Sequence, residues 1–314
     1  MDSLKLHQFS DSFIEEQNKT DIEKYHKYQE LIEYLEKFKN YKDQVLLSIV
    51  IPVYNEEKTI KKVLESLPQN NLVEIIVVDD HSTDNSLDEI GIIRNRIKII
   101  LLKHKRNRGY GNTLLTGIKY SKGRIIITMD ADGQHNPFDI LSLVKPVFEG
   151  EADISVGSRY LGSYNYKLPL STRLGEALIE KLLQILFKKK IMNNQSGYRA
   201  FDRKTISIFK EIDFQDYAFT TEVLLQAALK NYEIKEYPIV LTKRKYGTSK
   251  IILRKLILSL ITCFSIYSIK KLKSFHTRKL KLKGYYLIKK PFFINHPIRE
   301  EIIIPYPIIT MIVT

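Results

Sequence analysis

Five apolar runs alternating with helical stretches limit the folds open to this chain. Val45–Pro52, Val73–Val78, Ile97–Lys103, Ile125–Met129 and Ile154–Gly157 read as buried strands. Between them Glu57–Leu67, Asp84–Ile90, Gly111–Ser121 and Pro137–Phe148 read as helices. Strands that alternate with helices imply a mostly parallel sheet, because parallel neighbours need a crossover and the crossover helices cover both faces. Ligands in such sheets bind outside the carboxyl ends of the strands. Polar clusters fall at those ends: Tyr54-Asn55-Glu56, Asp79-Asp80, Asp130 with Asp132, and Ser158-Arg159.

The fourth run carries the densest chemistry. It ends in Asp130-Ala131-Asp132-Gly133-Gln134-His135. Alternate residues on a strand point the same way, so Asp130 and Asp132 can face one metal ion. Mg²⁺ and Mn²⁺ favour carboxylate oxygen and often bind through one or two carboxylates plus substrate phosphates. A bare Asp-x-Asp is also an ordinary polar turn, so its neighbours decide the matter.

Composition sets outer bounds. A length of 314 residues allows one large α/β domain with extensions or two small domains, and 44% hydrophobic content excludes global disorder. The formal charge of +14 suits an anionic partner, whether phosphorylated substrate, nucleic acid or membrane surface, though a Lys- and Ile-rich bias gives the same figure. Cys263, the single cysteine, rules out an internal disulfide and a Cys-based zinc site. Met1–Gln44 lacks the apolar core of a signal peptide. Leu256–Ile269 is shorter than the ~20 residues that a membrane-spanning helix needs.

Four regions are expected. Residues 1–44 form a charged helical extension with Tyr25, Tyr28, Ile32, Leu35 and Phe38 on one face. Residues 45–250 form the main α/β domain, with further helices at Leu174–Phe187 and Thr220–Leu229, a strand at Glu233–Thr242 and a basic loop at Arg244–Lys250. Residues 251–283 combine an apolar helix with the basic run Lys270–Lys283, the pattern of an amphipathic helix lying on an anionic membrane face. Core packing with a solvated basic tail is the alternative. Residues 284–314 form a tail without an assigned role.

Seven motifs occur in order: Ile51-Pro52-Val53-Tyr54-Asn55-Glu56; Val77-Val78-Asp79-Asp80-His81-Ser82-Thr83-Asp84; Asn107-Arg108-Gly109-Tyr110-Gly111; Met129-Asp130-Ala131-Asp132-Gly133-Gln134-His135; Gly157-Ser158-Arg159-Tyr160; Gln195-Ser196-Gly197-Tyr198-Arg199-Ala200-Phe201; and Arg244-Lys245-Tyr246-Gly247-Thr248-Ser249-Lys250. The series resembles a family-2 inverting glycosyltransferase of the GT-A fold, and within it the dolichyl-phosphate mannose and polyprenyl-phosphate glucose synthase branch.

The resemblance implies a Rossmann-like central sheet and transfer of a hexose from a GDP- or UDP-sugar with Mg²⁺ or Mn²⁺. The acceptor it implies is a polyprenyl or dolichyl phosphate at the cytoplasmic face of a membrane. It assigns Pro52, Tyr54, Glu56, Val78 and Asp80 to the nucleotide base and ribose. Asp130, Ala131 and Asp132 go to the ribose and diphosphate, with Asp132 the chief metal ligand, Asp130 beside it and Gln134 assisting. Arg159, Arg244 and Lys250 go to phosphate, and Glu222 to a catalytic or acceptor-side position. A planar guanidinium suits phosphate and keeps its charge.

Two positions depart from the branch. Asn193 stands where Asp is usual, and Glu176 stands where Ser or Asn is common near the acceptor phosphate. Both keep open a saccharide hydroxyl as acceptor, which needs a carboxylate base that a lipid phosphate does not. A non-catalytic sugar-nucleotide binder is a further alternative, against which the intact acidic pair argues. Asn107–Gly111 lacks the third glycine of a dinucleotide fingerprint. The basic patch Lys103–Arg108 has no aromatic-interleaved motif, so nucleic acid is not an expected partner. His81 and His135 match no metal-ligand spacing, and orienting or solvated roles are expected of them.

Overall fold

The structure is a computed structural model that describes residues 26–39, 45–164, 168–215, 218–246, 253–282 and 310–313. Residues 26–36 form α1. Then come β1 (Leu47–Val53), α2 (Ile60–Glu65), β2 (Val73–Asp79), α3 (Ser86–Arg94), β3 (Ile99–His104), α4 (Tyr110–Tyr120) and β4 (Ile125–Thr128). A 3₁₀ turn (Pro137–Asp139) leads into α5 (Ile140–Phe148), β5 (Ile154–Tyr164), α6 (Leu170–Phe187) and β6 (Arg199–Asp202). A 3₁₀ segment (Arg203–Glu211), α7 (Phe219–Leu229), β7 (Ile234–Leu241), α8 (Leu253–Leu282) and β8 (Thr310–Val313) complete the described elements.

One sheet runs β7-β5-β6-β4-β1-β2-β3-β8. All neighbours are parallel except β6, which is antiparallel to both β4 and β5. Strand alternation divides the core between the two faces. Ile49, Ile51, Ile75, Val77, Ile125 and Ile127 pack with α1, α2, α3 and α5. Val50, Ile76, Val78 and Ile126 pack with α4, α6, α7 and α8. Both faces being apolar explains why β1 and β4 read as unbroken runs, every residue of each being buried.

Helix α1 is part of this body. Leu31 and Leu35 are buried in the core, and Phe38 stacks on Phe148 of α5 at 4.8 Å between ring centroids. Helix α8 does not stop at Ile269, because its backbone continues through the basic run to Leu282. Cys263, Phe264 and Tyr267 face the core while Leu258, Ile261, Ile269 and Leu272 are exposed. Among the described residues no helix is long and apolar enough to cross a membrane. The tail supplies β8, paired in parallel with β3.

Candidate active site

The carboxyl ends of β1, β2 and β4 lie side by side, since Val53 pairs with Asp79 and Val50 with Thr128. The turns after β1 and β2 are held to each other by side chains. Thr83 donates its N–H to Asn55 Oδ1 at 2.8 Å, Ser86 Oγ accepts from Glu56 N at 2.8 Å, and Asp84 Oδ2 accepts from Glu57 N at 3.1 Å. Asn55 has φ 56, a left-handed conformation that Asn tolerates better than most residues. The Ser82-Thr83-Asp84 motif thus braces the turn that presents Glu56.

The acidic turn after β4 is pinned to the end of β7. His135 forms an antiparallel bridge with Leu241, Thr242 donates its N–H to Gln134 O at 3.0 Å, and Gln134 Nε2 donates to Thr242 O at 2.9 Å. This pairing carries Arg244 over the carboxylates. One guanidinium nitrogen hydrogen-bonds Glu56 Oε1, and the other lies 3.8 Å from Asp132 Oδ2. Asp132, Glu56 and Arg244 therefore converge from three strand ends, as sequence motifs far apart in the chain suggested. Gln134 spends its amide N–H on Thr242, so it acts as a tie between the two loops, and its backbone N–H donates to Asp132 Oδ1 at 3.0 Å.

The electrostatics of the cluster suit a cation. Burial raises the carboxyl pKa of Asp132, and the charge of Asp130 raises it further, against His135, the Gln134 N–H and Arg244. Glu56 is also raised by burial, opposed by Arg244 and reinforced by Asp132. Among the described residues no three His, Cys, Asp or Glu side chains converge on one point. A hard cation shared between one or two carboxylates and a diphosphate requires no such trio. Strand alternation does not align the two carboxylates, since β4 ends at Thr128. Asp130 nonetheless lies close enough in the turn for its charge to act on Asp132, and two such carboxylates suit a shared hard cation. Asp130 lies beyond the end of β4 in the turn; its N–H donates to His135 Nδ1 at 3.2 Å and its Oδ1 accepts from Tyr110 Oη at 2.8 Å. His135 orients the turn, stacked on Tyr198 at 4.8 Å.

Other predicted residues are placed differently. Pro52 and Val78 are register partners, and both are buried, with Val78 in the core beneath α4; they can serve a base only by shaping the strand ends. Ala131 is buried and Tyr54 half-buried beside them. Asp80 is engaged within the protein: Oδ1 meets His104 Nδ1 at 2.6 Å and Arg108 N at 2.8 Å, and Oδ2 accepts from Gly109 N at 2.8 Å. It organises the Asn107–Gly111 turn. Arg159 is paired with Glu176, Nη2 to Oε1 at 2.6 Å, and Tyr160 Oη donates to the other oxygen of Glu176. Asn193 donates to Gly157 O at 2.9 Å and ties its turn to β5.

Glu222 is not solvated. It is fully buried and accepts from Asp213 N at 3.0 Å, Phe214 N at 2.7 Å and Tyr267 Oη at 2.8 Å. Lys250 lies outside the described residues. Tyr110, His104 and Gly197 were not singled out from sequence. Tyr110 and Gly197 stood inside recognised motifs, but only the fold shows that they meet Asp130.

Comparison with known proteins shows the family and the fold. The model for "Glycosyl transferase family 2" matches residues 48–209. A UDP-N-acetylglucosamine–dolichyl-phosphate N-acetylglucosaminyltransferase of Methanococcus voltae is 32% identical over 223 residues, covering 65% of this chain and 89% of that protein. A polyprenol monophosphomannose synthase of Mycolicibacterium smegmatis is 28% identical over 215 residues, covering 64% of this chain and 79% of that protein. Glucosyl-3-phosphoglycerate synthase of Mycobacterium tuberculosis, solved with Mn²⁺, UDP and glucosyl-3-phosphoglycerate, superposes with a TM-score of 0.55 at 21% identity, covering 70% of this chain and 80% of that one. The mostly parallel sheet flanked by helices is thus the GT-A-like fold, and the chain belongs to glycosyl transferase family 2.

Proposed function

We propose that this chain moves a hexose, with inversion, from a nucleoside diphosphate sugar to a polyprenyl or dolichyl phosphate at a membrane surface. The convergence of Asp132, Glu56 and Arg244 beside Asp130 carries the reading. Within it, residues 45–250 are the transferase domain, and of the flanking segments the described helices α1 and α8 pack on that domain.

Asp132 and Asp130 would hold Mg²⁺ or Mn²⁺ on the donor diphosphate. When bound, such a cation stabilises the leaving nucleoside diphosphate. Arg244 reaches the same place from the end of β7, and its charge would pass from Glu56 and Asp132 to phosphate oxygens. Lys250, outside the described residues, keeps only its role from the resemblance as a phosphate contact. Tyr54, Glu56 and the buried ends of β1 and β2 would shape the base and ribose pocket. An oxygen of the acceptor phosphate forms the new bond to the anomeric carbon as the bond to the diphosphate breaks. That oxygen is already anionic, so no general base is required.

Two helices support a membrane-facing acceptor. Leu170, Leu174, Leu178 and Ile185 on α6, and Leu258, Ile261, Ile269 and Leu272 on α8, are each more than half exposed. Exposed Arg173, Lys181 and Lys188 accompany them on α6 and at its end. Apolar stripes with basic neighbours suit an anionic interface. The relatives named for dolichyl-phosphate and polyprenol acceptors point the same way.

A second reading, transfer to a saccharide hydroxyl, draws on Glu176. Its carboxylate neutralises Arg159, the residue cast as a phosphate contact. One experiment separates the two. UDP- and GDP-sugars with Mn²⁺ or Mg²⁺ are incubated with and without short-chain polyprenyl phosphate, and products are followed by mass spectrometry. A glycosyl phospholipid is expected. Donor hydrolysis without lipid product, alongside transfer to a saccharide, would overturn the lipid acceptor.

A further inference from the structure

Asp130 is set in place by one neutral donor. The chain of contacts begins at Asp80, whose carboxylate takes the N–H groups of Arg108 and Gly109. Gly109 has φ 87, which lets the chain turn directly into α4. Gly111 N donates to Gln215 O at 3.1 Å, fixing the first turn of α4 from the other side. Tyr110 is the first residue of that helix. Its ring meets Phe219 edge-on at 6.3 Å, and its hydroxyl donates to Asp130 Oδ1 at 2.8 Å.

Gly197 makes room for this contact. A Cβ on Gly197 would lie 2.5 Å from Tyr110 Oη and 2.7 and 2.8 Å from the two oxygens of Asp130. Thr128 Oγ1 donates to Gly197 O at 2.7 Å and holds the glycine against the pair. The lack of a side chain at 197 is therefore a spatial requirement of the Tyr110–Asp130 hydrogen bond. Asp130 Oδ2 lies 3.8 Å from His135 Nδ1, beyond hydrogen-bond range, and stays available to a cation.

We infer that Tyr110 and Gly197 are positioning residues for Asp130, and that they link the Asp80 turn to the cation site. The inference rests on the proposed Asp130–Asp132 cation site. It gives the Asn107–Gly111 motif a role beyond helix initiation. A partner that orients a metal-ligating carboxylate typically changes metal affinity by roughly 10- to 100-fold when removed.

The test is Mn²⁺ binding, read as free Mn²⁺ by electron paramagnetic resonance, on the full chain with and without UDP. Wild type, Tyr110→Phe and Gly197→Ala are compared at temperatures where circular dichroism shows each folded. Tyr110→Phe keeps the ring and loses only the hydroxyl, so it is expected to fold with a nearly unchanged Tm. Its Mn²⁺ affinity should fall roughly tenfold or more. Its turnover should recover as Mn²⁺ is raised, a rescue that a purely structural role would not give. Gly197→Ala should weaken Mn²⁺ in the same direction by displacing Asp130. Tyr110→Phe binding Mn²⁺ as wild type does would overturn the positioning role and leave the cation site standing. Wild type that binds no Mn²⁺ with UDP present would overturn the cation site itself, and the inference with it.

Discussion

Removing Glu222 tests whether that residue is an anchor or a catalyst. In the structure its carboxylate ties α7 to the Asp213–Phe214 loop and to Tyr267 of α8. That loop continues to Gln215, whose carbonyl holds the start of α4. Glu222→Ala strands the buried Tyr267 phenol and removes the acceptor of two part-buried backbone N–H groups. Each stranded donor costs about 1–3 kcal/mol. The loss is offset because the substitution also removes a carboxylate whose burial is unfavourable, as its raised pKa records. The net effect is on the order of 3 kcal/mol, or about 6–12 °C in Tm for a chain of this size class. Thermal unfolding followed by circular dichroism reads it, the protein having no tryptophan.

The sign of the pH dependence follows from the same group. Its pKa is raised in the folded state, so its stabilising contribution is full below the unfolded value of about 4.3 and is lost as pH rises through the folded value. The Tm of wild type relative to Glu222→Gln should therefore fall from acid toward neutral pH. A Glu222→Gln protein with unchanged Tm at every pH but no turnover would refute the anchor and restore a direct catalytic role.

Three further outcomes are expected. Arg244→Ala should raise donor KM about tenfold, about 1.4 kcal/mol, because a cation paired with Glu56 and near Asp132 is lost. Arg244 lowers both carboxyl pKa values, so the acid limb of kcat/KM should also move to higher pH; a limb that stays or moves down contradicts the pairing. Gly162→Ala should destabilise the fold by about 1–3 kcal/mol in chemical denaturation, since a Cβ there would lie 2.6 Å from Ile239 N of β7. Leu174→Ser with Leu178→Ser should reduce flotation with phosphatidylglycerol vesicles while leaving Tm unchanged, both residues being exposed on α6; undiminished flotation would remove α6 from the membrane face.

Much of the fold was legible because both sheet faces are apolar. Unbroken runs such as Ile125–Thr128 announce buried strands without alternation. Strand β5 is longer than its apolar start at Ile154–Gly157, since Ser158–Tyr164 carries little hydrophobic signal yet still pairs with β7. Strand β6 has four residues, with Arg199 and Asp202 at its ends, and its antiparallel setting follows from sheet neighbours alone. The acidic pair was visible in sequence as chemistry. Glu56 and Arg244 were named with it through the resemblance, but their contacts were not legible, because the bridge between His135 and Leu241 brings Arg244 to Asp132 across more than a hundred residues. Asp80 and Glu222 show the converse: the resemblance gave each a functional place, and each spends its carboxylate on backbone N–H groups that hold a loop.

We propose Asp130 and Asp132 as the cation and diphosphate end of the donor site. Crystals soaked with Mn²⁺ and UDP, measured at the manganese absorption edge, test it most directly. An anomalous peak within coordination distance of Asp132, with diphosphate density between it and Arg244, is the expected result. A peak held by other residues, or UDP bound away from this edge of the sheet, would contradict it.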